Sequence, residues 1–181
     1  MTAVQLRPSQ PAGDTNSTIE LLVPGLPAAG DTSSTIELFV PGLPAPQGSK
    51  TIGRWGGLRE SSPHVLPWRQ AVIVTSIGAY KHPPITQPVS ISITFWFPRP
   101  KSHYGTGRNS TQLKKNAPFW CTSASRGDLD KLVRATADGL SRSCGGVCLE
   151  DDRLIVDLHC KKIYADLNEF VGAKISIVTY H

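Results

Sequence analysis

The sequence predicts an α+β domain around one mixed sheet, and three observations carry that reading. Val89, Ile91, Ile93, Phe95 and Phe97 alternate with Ser90, Ser92, Thr94 and Trp96, the period of a half-buried strand. Helical signals follow Pro67 and Gly127, and apolar runs at Ile36–Val40, Leu154–Cys160 and Ala173–Thr179 read as further strands. The resulting order is β-α-β-loop-α-β-β in a single domain. At 181 residues the chain has room for one ordinary domain and a tail.

The N-terminal part is a tandem repeat. Residues 12–28, AGDTNSTIELLVPGLPA, return at 29–45 as AGDTSSTIELFVPGLPA, differing only at Asn16/Ser33 and Leu22/Phe39. Two units are too few for a solenoid. Each copy holds one strand signal, Ile19–Val23 or Ile36–Val40, closed by Pro-Gly. The second copy runs directly into the rest of the chain and is expected to supply the structural strand. Residues 1–30 are expected to be a flexible tail, and 31–181 the folded domain.

A loop rich in Gly and basic residues, Pro46–Arg59, precedes the first helix. Pro67-Trp68-Arg69 opens that helix, since Pro is tolerated in a first turn, and Pro83-Pro84 lies past its end near Tyr80. Pro98–Arg126 is a long polar loop, a length that in compact domains goes with function. Leu129–Leu140 is the second helix, with Leu129, Leu132, Val133, Thr136 and Leu140 facing the sheet.

Net charge is +5, but it is unevenly spread. Residues 1–37 carry one basic residue against four acids, and 38–127 carry eleven Lys or Arg against one acid, Glu60. Residues 128–181 reverse the balance, with seven basic residues and nine acids. A basic stretch meeting an abrupt acid cluster suits a protein that holds a polyanion and performs metal chemistry on it, although a solvated basic surface would look the same. No apolar run is long enough to span a membrane, and Met1–Arg7 lacks a signal-peptide layout, so the expected location is cytoplasmic. Cys121, Cys144, Cys148 and Cys160 are accordingly read as reduced thiols.

The acids fall in two groups. Asp128 stands at the helix entrance, and Asp130, Arg134 and Asp138 follow at four-residue spacing on one helical face. Glu150-Asp151-Asp152 comes immediately before the strand Leu154–Cys160. Carboxylates from a helix start and a strand start can converge on Mg²⁺ or Mn²⁺, hard cations that prefer oxygen ligands. A cation there can activate water and stabilise charge on a phosphodiester, with Arg134 positioned for the scissile phosphate. A purely structural account fits the spacing equally well. Acids in a first turn complement the helix dipole, and Asp-Asp before a strand is ordinary turn chemistry. An Asp-x-Asp phosphotransferase is disfavoured, because the preceding Thr122–Gly127 is polar where that motif needs a buried strand.

The run GDLDKLVRATADGL, followed by EDDRLIVDLHCKK, resembles the signature of the RusA family of Holliday junction resolvases. The stretches VPGLPAPQGSK and RPKSHYGTGRN are similar to the family as well, and the resemblance spans roughly residues 35–178. It implies a RusA-like fold in bacteria or their phages, and paired, metal-dependent cleavage of four-way DNA junctions by a homodimer. Position by position, it places the metal-binding and catalytic acids on Asp128, Asp130 and Asp152. The catalytic basic residue falls on Arg134, and secondary acids fall on Asp138 and Asp151. Mg²⁺ is the implied cofactor, with Mn²⁺ as a substitute. Arg134 departs from the family's usual Lys, and an arginine cannot give up a proton at this position. Ser141–Leu149 is longer than the family pattern, which loosens the register at Asp151 and Asp152.

On that reading Lys50, Arg54, Lys101, His103, Arg108, Lys114 and Lys115 hold DNA phosphates, and binding weakens with salt. Two alternatives stay in view: a less selective nuclease of branched or flap DNA, and a non-catalytic binder of structured DNA. Zinc at Cys144-x3-Cys148 is disfavoured because further ligands are scattered. Phe119 and Trp120 suit either stacking on unpaired bases or packing on the sheet. Trp55 and Trp68 are read as core or interface residues.

Overall fold

The computed structural model describes residues 35–48, 50–52, 58–60, 62–167 and 169–180. Along the chain lie β1 (Thr35–Pro41), β2 (Lys50–Ile52), β3 (Leu58–Glu60), α1 (Val65–Ala79) and β4 (Val89–Pro98). They are followed by α2 (Leu129–Leu140), β5 (Ile155–Ala165) and β6 (Gly172–Thr179), with several single turns of 3-10 helix between β4 and β5. The first repeat copy and the expected tail, 1–30, lie outside the described residues, as do Arg54 and Trp55.

Four strands form one mixed sheet in the order β1–β6–β4–β5. β6 is antiparallel to both β1 and β4, whereas β5 runs parallel to β4. A parallel neighbour requires a crossover connection. The segment after β4, which includes α2, supplies it. The two helices contact each other, with α1 also reaching β1 and α2 reaching β5.

Periodicity explains which face is buried. Val89, Ile91, Ile93, Phe95 and Phe97 of β4 are all buried, as are Leu38 and Val40 of β1 and Ala173, Ile175 and Ile177 of β6. α1 contributes Val65, Trp68, Val72 and Ser76 at steps of three or four residues, one stripe of a helix. α2 contributes Leu132, Val133, Ala135, Thr136, Ala137, Gly139 and Leu140. Trp68 joins the helices, its Nε1–H donating to Thr136 Oγ1 at 3.1 Å, so the indole's polar atom is satisfied inside the core.

Three differences from the sequence reading have physical causes. The expected loop Pro46–Arg59 contains an antiparallel hairpin, β2 paired to β3 from Lys50↔Glu60 to Ile52↔Leu58. Strands of three residues are too short to show a period of two. β5 continues five residues past Cys160, because Lys161 and Lys162 interrupt the apolar run without interrupting the ladder to β4. The first helix begins at Val65, two residues before Pro67, which places the proline within the first turn.

All four cysteines are free, with Cys121 and Cys148 buried. Burial pushes the Cys148 thiol up to about 11, which keeps it protonated and unreactive. Among the described residues, no helix is long and apolar enough to cross a membrane.

Candidate active site

The entrance of α2 is held from two sides. Gly127 adopts φ +75°, and a Cβ there would lie 2.4 Å from Pro46 Cγ, so only glycine allows the Pro46 loop to pack this closely. The Gln47 backbone N–H donates to Lys131 O at 3.0 Å, fixing the same loop to the first turn of the helix. From the sheet, Lys162 Nζ of β5 donates to Gly127 O at 2.5 Å. Lys162 was not among the sequence-derived site residues. Its signal, a second lysine inside a strand, becomes legible only once β5 is known to extend past Cys160.

Asp128 is the N-cap residue of α2, yet its side chain makes no capping hydrogen bond. It instead pairs with Lys131 at 2.8 Å, and both side chains are about half exposed or more. The hydrogen bond and charge of Lys131 hold the Asp128 carboxyl below the usual carboxylate range, and Lys162 adds to the effect. Asp130 lies in the first turn and Arg134 one turn later, both exposed. Among the described residues, no hydrogen bond or ion pair engages either side chain.

Asp138, one turn further along, has a different environment. It forms a short ion pair with Arg69 of α1, with both side chains less than one-fifth exposed. Family resemblance put Asp138 with the secondary acids, and in the structure its carboxylate bridges the two helices. Asp151 caps the 3-10 turn Asp152–Leu154 by accepting from the Arg153 backbone N–H at 3.0 Å. Asp152 opens that turn, exposed, and the turn packs beside α2. Among the described residues, no three His, Cys, Asp or Glu side chains form a group that could hold a metal ion. The donor chemistry does suit Mg²⁺, which characteristically binds through one or two carboxylates together with waters and substrate phosphate.

The expected DNA contacts lie mostly on the long loop after β4. Lys101, Arg108 and Lys115 are exposed. Lys114 Nζ donates to Ser102 O at 2.7 Å, tying the loop to itself, and Tyr104 bridges Leu113. His103 is partly buried, its ring edge-to-face with Tyr164 at 5.0 Å, so it serves the loop's packing. Lys50 belongs to β2, and its side chain lies outside the description. Arg99, absent from the expected set, is an anchor: it pairs with Asp166 at 3.0 Å and donates to Pro118 O at 2.6 Å.

A search of curated proteins finds no match. The family model described as endodeoxyribonuclease RusA matches residues 41–177, which include both acid groups, the long basic loop, β4, β5 and most of β6, and leave out β1 except for its last residue. The chain therefore belongs to the RusA family of Holliday junction resolvases, and its function is that of a DNA endonuclease.

Proposed function

We propose that this chain resolves four-way DNA junctions by metal-dependent hydrolysis, introducing paired nicks as a homodimer. The observation that supports this best is the outer face of α2. There Asp130 and Arg134 stand exposed, one turn apart, with no structural partner among the described residues, beside Asp128 at the helix entrance. Family membership makes the chain a nuclease, and these are the groups with no evident packing role.

In this reading Asp128, Asp130 and Asp152 hold Mg²⁺, or Mn²⁺ in its place. The cation supplies a lowered water pKa and charge stabilisation at the phosphate. Lys131 occupies the Asp128 carboxylate in the free protein and would give way to the cation. Arg134 orients the scissile phosphate and offsets its developing charge. Because an arginine does not lose its proton, this position contributes charge and not acid catalysis. Lys101, Arg108, Lys114 and Lys115, with Lys50 and Arg54, grip the backbone. A two-fold symmetric junction needing two symmetric cuts suits a two-fold symmetric enzyme. Residues 31–181 constitute the nuclease domain and 1–30 an appended tail, acting in the cytoplasm of a bacterium or of a phage-infected host.

The test is cleavage of a synthetic four-way junction and a matched linear duplex, in Mg²⁺ or EDTA, by wild type and Asp130→Asn. Paired, metal-dependent nicking of the junction alone, lost in the variant, is the expected outcome. Junction binding without cutting in any metal would overturn it and favour a binding role.

A further inference from the structure

Phe119 and Trp120 are large, adjacent and 56% and 55% exposed, although they sit on one of the best-anchored parts of the long loop. Their backbone continues the sheet beyond β5. The Tyr164 N–H donates to Phe119 O at 3.0 Å, Trp120 bridges Ile163, and the Cys121 N–H donates to Lys162 O at 3.1 Å. Arg99 holds the preceding carbonyl, Pro118 O, while paired to Asp166. The main chain is thus fixed on both sides. The two rings, edge-to-face at 5.1 Å, meet each other and leave most of their surface to solvent. Packing on the sheet, the structural role the sequence allowed them, is not what they do.

Two features say what such a pair is for. The first is position: Lys162, whose carbonyl receives Cys121, sends its ammonium to Gly127 O, immediately before Asp128. One lysine therefore links the aromatic pair to the entrance of α2. The second is charge. Residues 98–127 contain six Lys or Arg and no acid. A second copy docked here across a two-fold axis would set that cationic stretch against itself. A ligand with flat apolar faces and a polyanionic backbone suits both the rings and the charge.

We propose that Phe119 and Trp120 form a stacking platform for a nucleobase that has left the helical stack at the branch point of the DNA substrate. Every base has a π-face, so such a platform accepts any sequence and selects for unpaired structure. This rests on the junction-cleaving reading above, and it gives that reading a source of selectivity independent of the acids. Phosphate contacts serve duplex and junction alike, whereas a stacking pair contributes only where a base can be displaced.

The test uses the full chain in EDTA, so that binding is measured without cleavage. The probes are a four-way junction with 2-aminopurine at the exchange point, the matched linear duplex, and a single strand carrying 2-aminopurine. Phe119→Ala/Trp120→Ala should keep the wild-type melting temperature, as expected for exposed rings. Stacking losses of this kind amount to about 5- to 150-fold in affinity per base. That loss is expected for the junction and the single strand, together with loss of the 2-aminopurine quench, while duplex affinity stays unchanged. Phe119→Leu/Trp120→Leu, which keeps apolar surface but removes the π-faces, should behave like the alanine pair.

Equal losses on duplex and junction would overturn the platform, as would rescue by leucine. Unchanged DNA binding, with a shift from dimer to monomer in sedimentation, would reassign the pair to a contact between copies. If wild type bound junction and duplex equally, the junction reading would fail, yet the single strand would still decide whether the rings stack on bases.

Discussion

The two faces of α2 are drawn from the same twelve residues and answer to different forces. The inner face, with Leu132, Val133, Thr136 and Leu140, is buried against the sheet and α1, and each side chain has a packing or hydrogen-bonding reason to be there. The outer face, with Asp130 and Arg134, has no such partner among the described residues. Asp138 lies between them: it shares the spacing of the outer face but spends its charge on Arg69. Equal spacing therefore does not mean equal role, and a carboxylate's partner is the better guide to what it does.

The sharpest way to break this comparison is to exchange the penalties. Leu132→Ala removes a fully buried side chain and should cost about 2–5 kcal/mol of stability, read as a lower melting temperature. Its nicking rate per folded molecule should stay near wild type. Asp130→Asn should do the reverse. Removing one group that stabilises transition-state charge costs roughly 10²–10³ in rate, while losing an exposed first-turn acid costs under about 1 kcal/mol of stability. If Asp130→Asn melted early and Leu132→Ala lost its chemistry, the division of the helix into a structural and a chemical face would be wrong.

Asp138 provides a smaller and more discriminating effect. An acid in the last turn opposes the helix dipole, so its presence there needs a compensating cation. Asp138→Ala leaves the half-buried Arg69 without its partner and should cost about 1–3 kcal/mol. Arg69→Ala/Asp138→Ala should recover part of that loss, which a melting-temperature cycle would register. Both variants should nick DNA at near wild-type rate. A large loss of nicking in Asp138→Ala with unchanged stability would give this residue a role in the chemistry and not in the scaffold.

Much of this was legible in the sequence, for reasons that also explain what was not. Helix 129–140 and the strand at Val89 announce themselves through long, clean periods, and their bounds in the structure fall within a residue of expectation. The hairpin at Lys50–Glu60 has three-residue strands and no period to detect. Asp128 and Asp130 were visible because helix entrances leave a strong local pattern. Lys162, thirty-four residues downstream of Asp128, reaches the site only through the parallel pairing of β5 with β4, a non-local fact. Asp138 shows the same limit from the other side, since its partner Arg69 is sixty-nine residues away. Family resemblance supplied the roles of the acids, whereas the pairing of each acid required coordinates.

The smallest effect concerns Asp128, where the structural and chemical faces meet. Lys131 holds its carboxyl below the usual range, so the carboxylate stays charged as pH falls past the point at which an unpaired Asp is protonated. The Lys131 ammonium is held above its usual range by the same contact. A depressed carboxyl contributes stability that is present above its unfolded pKa and lost as pH falls through the folded value. A raised ammonium contributes stability present below its unfolded pKa and lost as pH rises through the folded one. The pair is therefore intact between these two limits, which include neutral pH. Both groups are solvent-exposed, so the consequence should appear in titration and not in melting temperature. Followed by carboxyl NMR, Asp128 should titrate below the ordinary Asp range in wild type and move up in Lys131→Met. Added Mg²⁺ should shift the Asp128 signal in both proteins, at lower concentration in Lys131→Met, because the cation no longer competes with the ammonium. A wild-type Asp128 that titrated normally and ignored Mg²⁺ would leave α2 with an exposed acid that neither face explains.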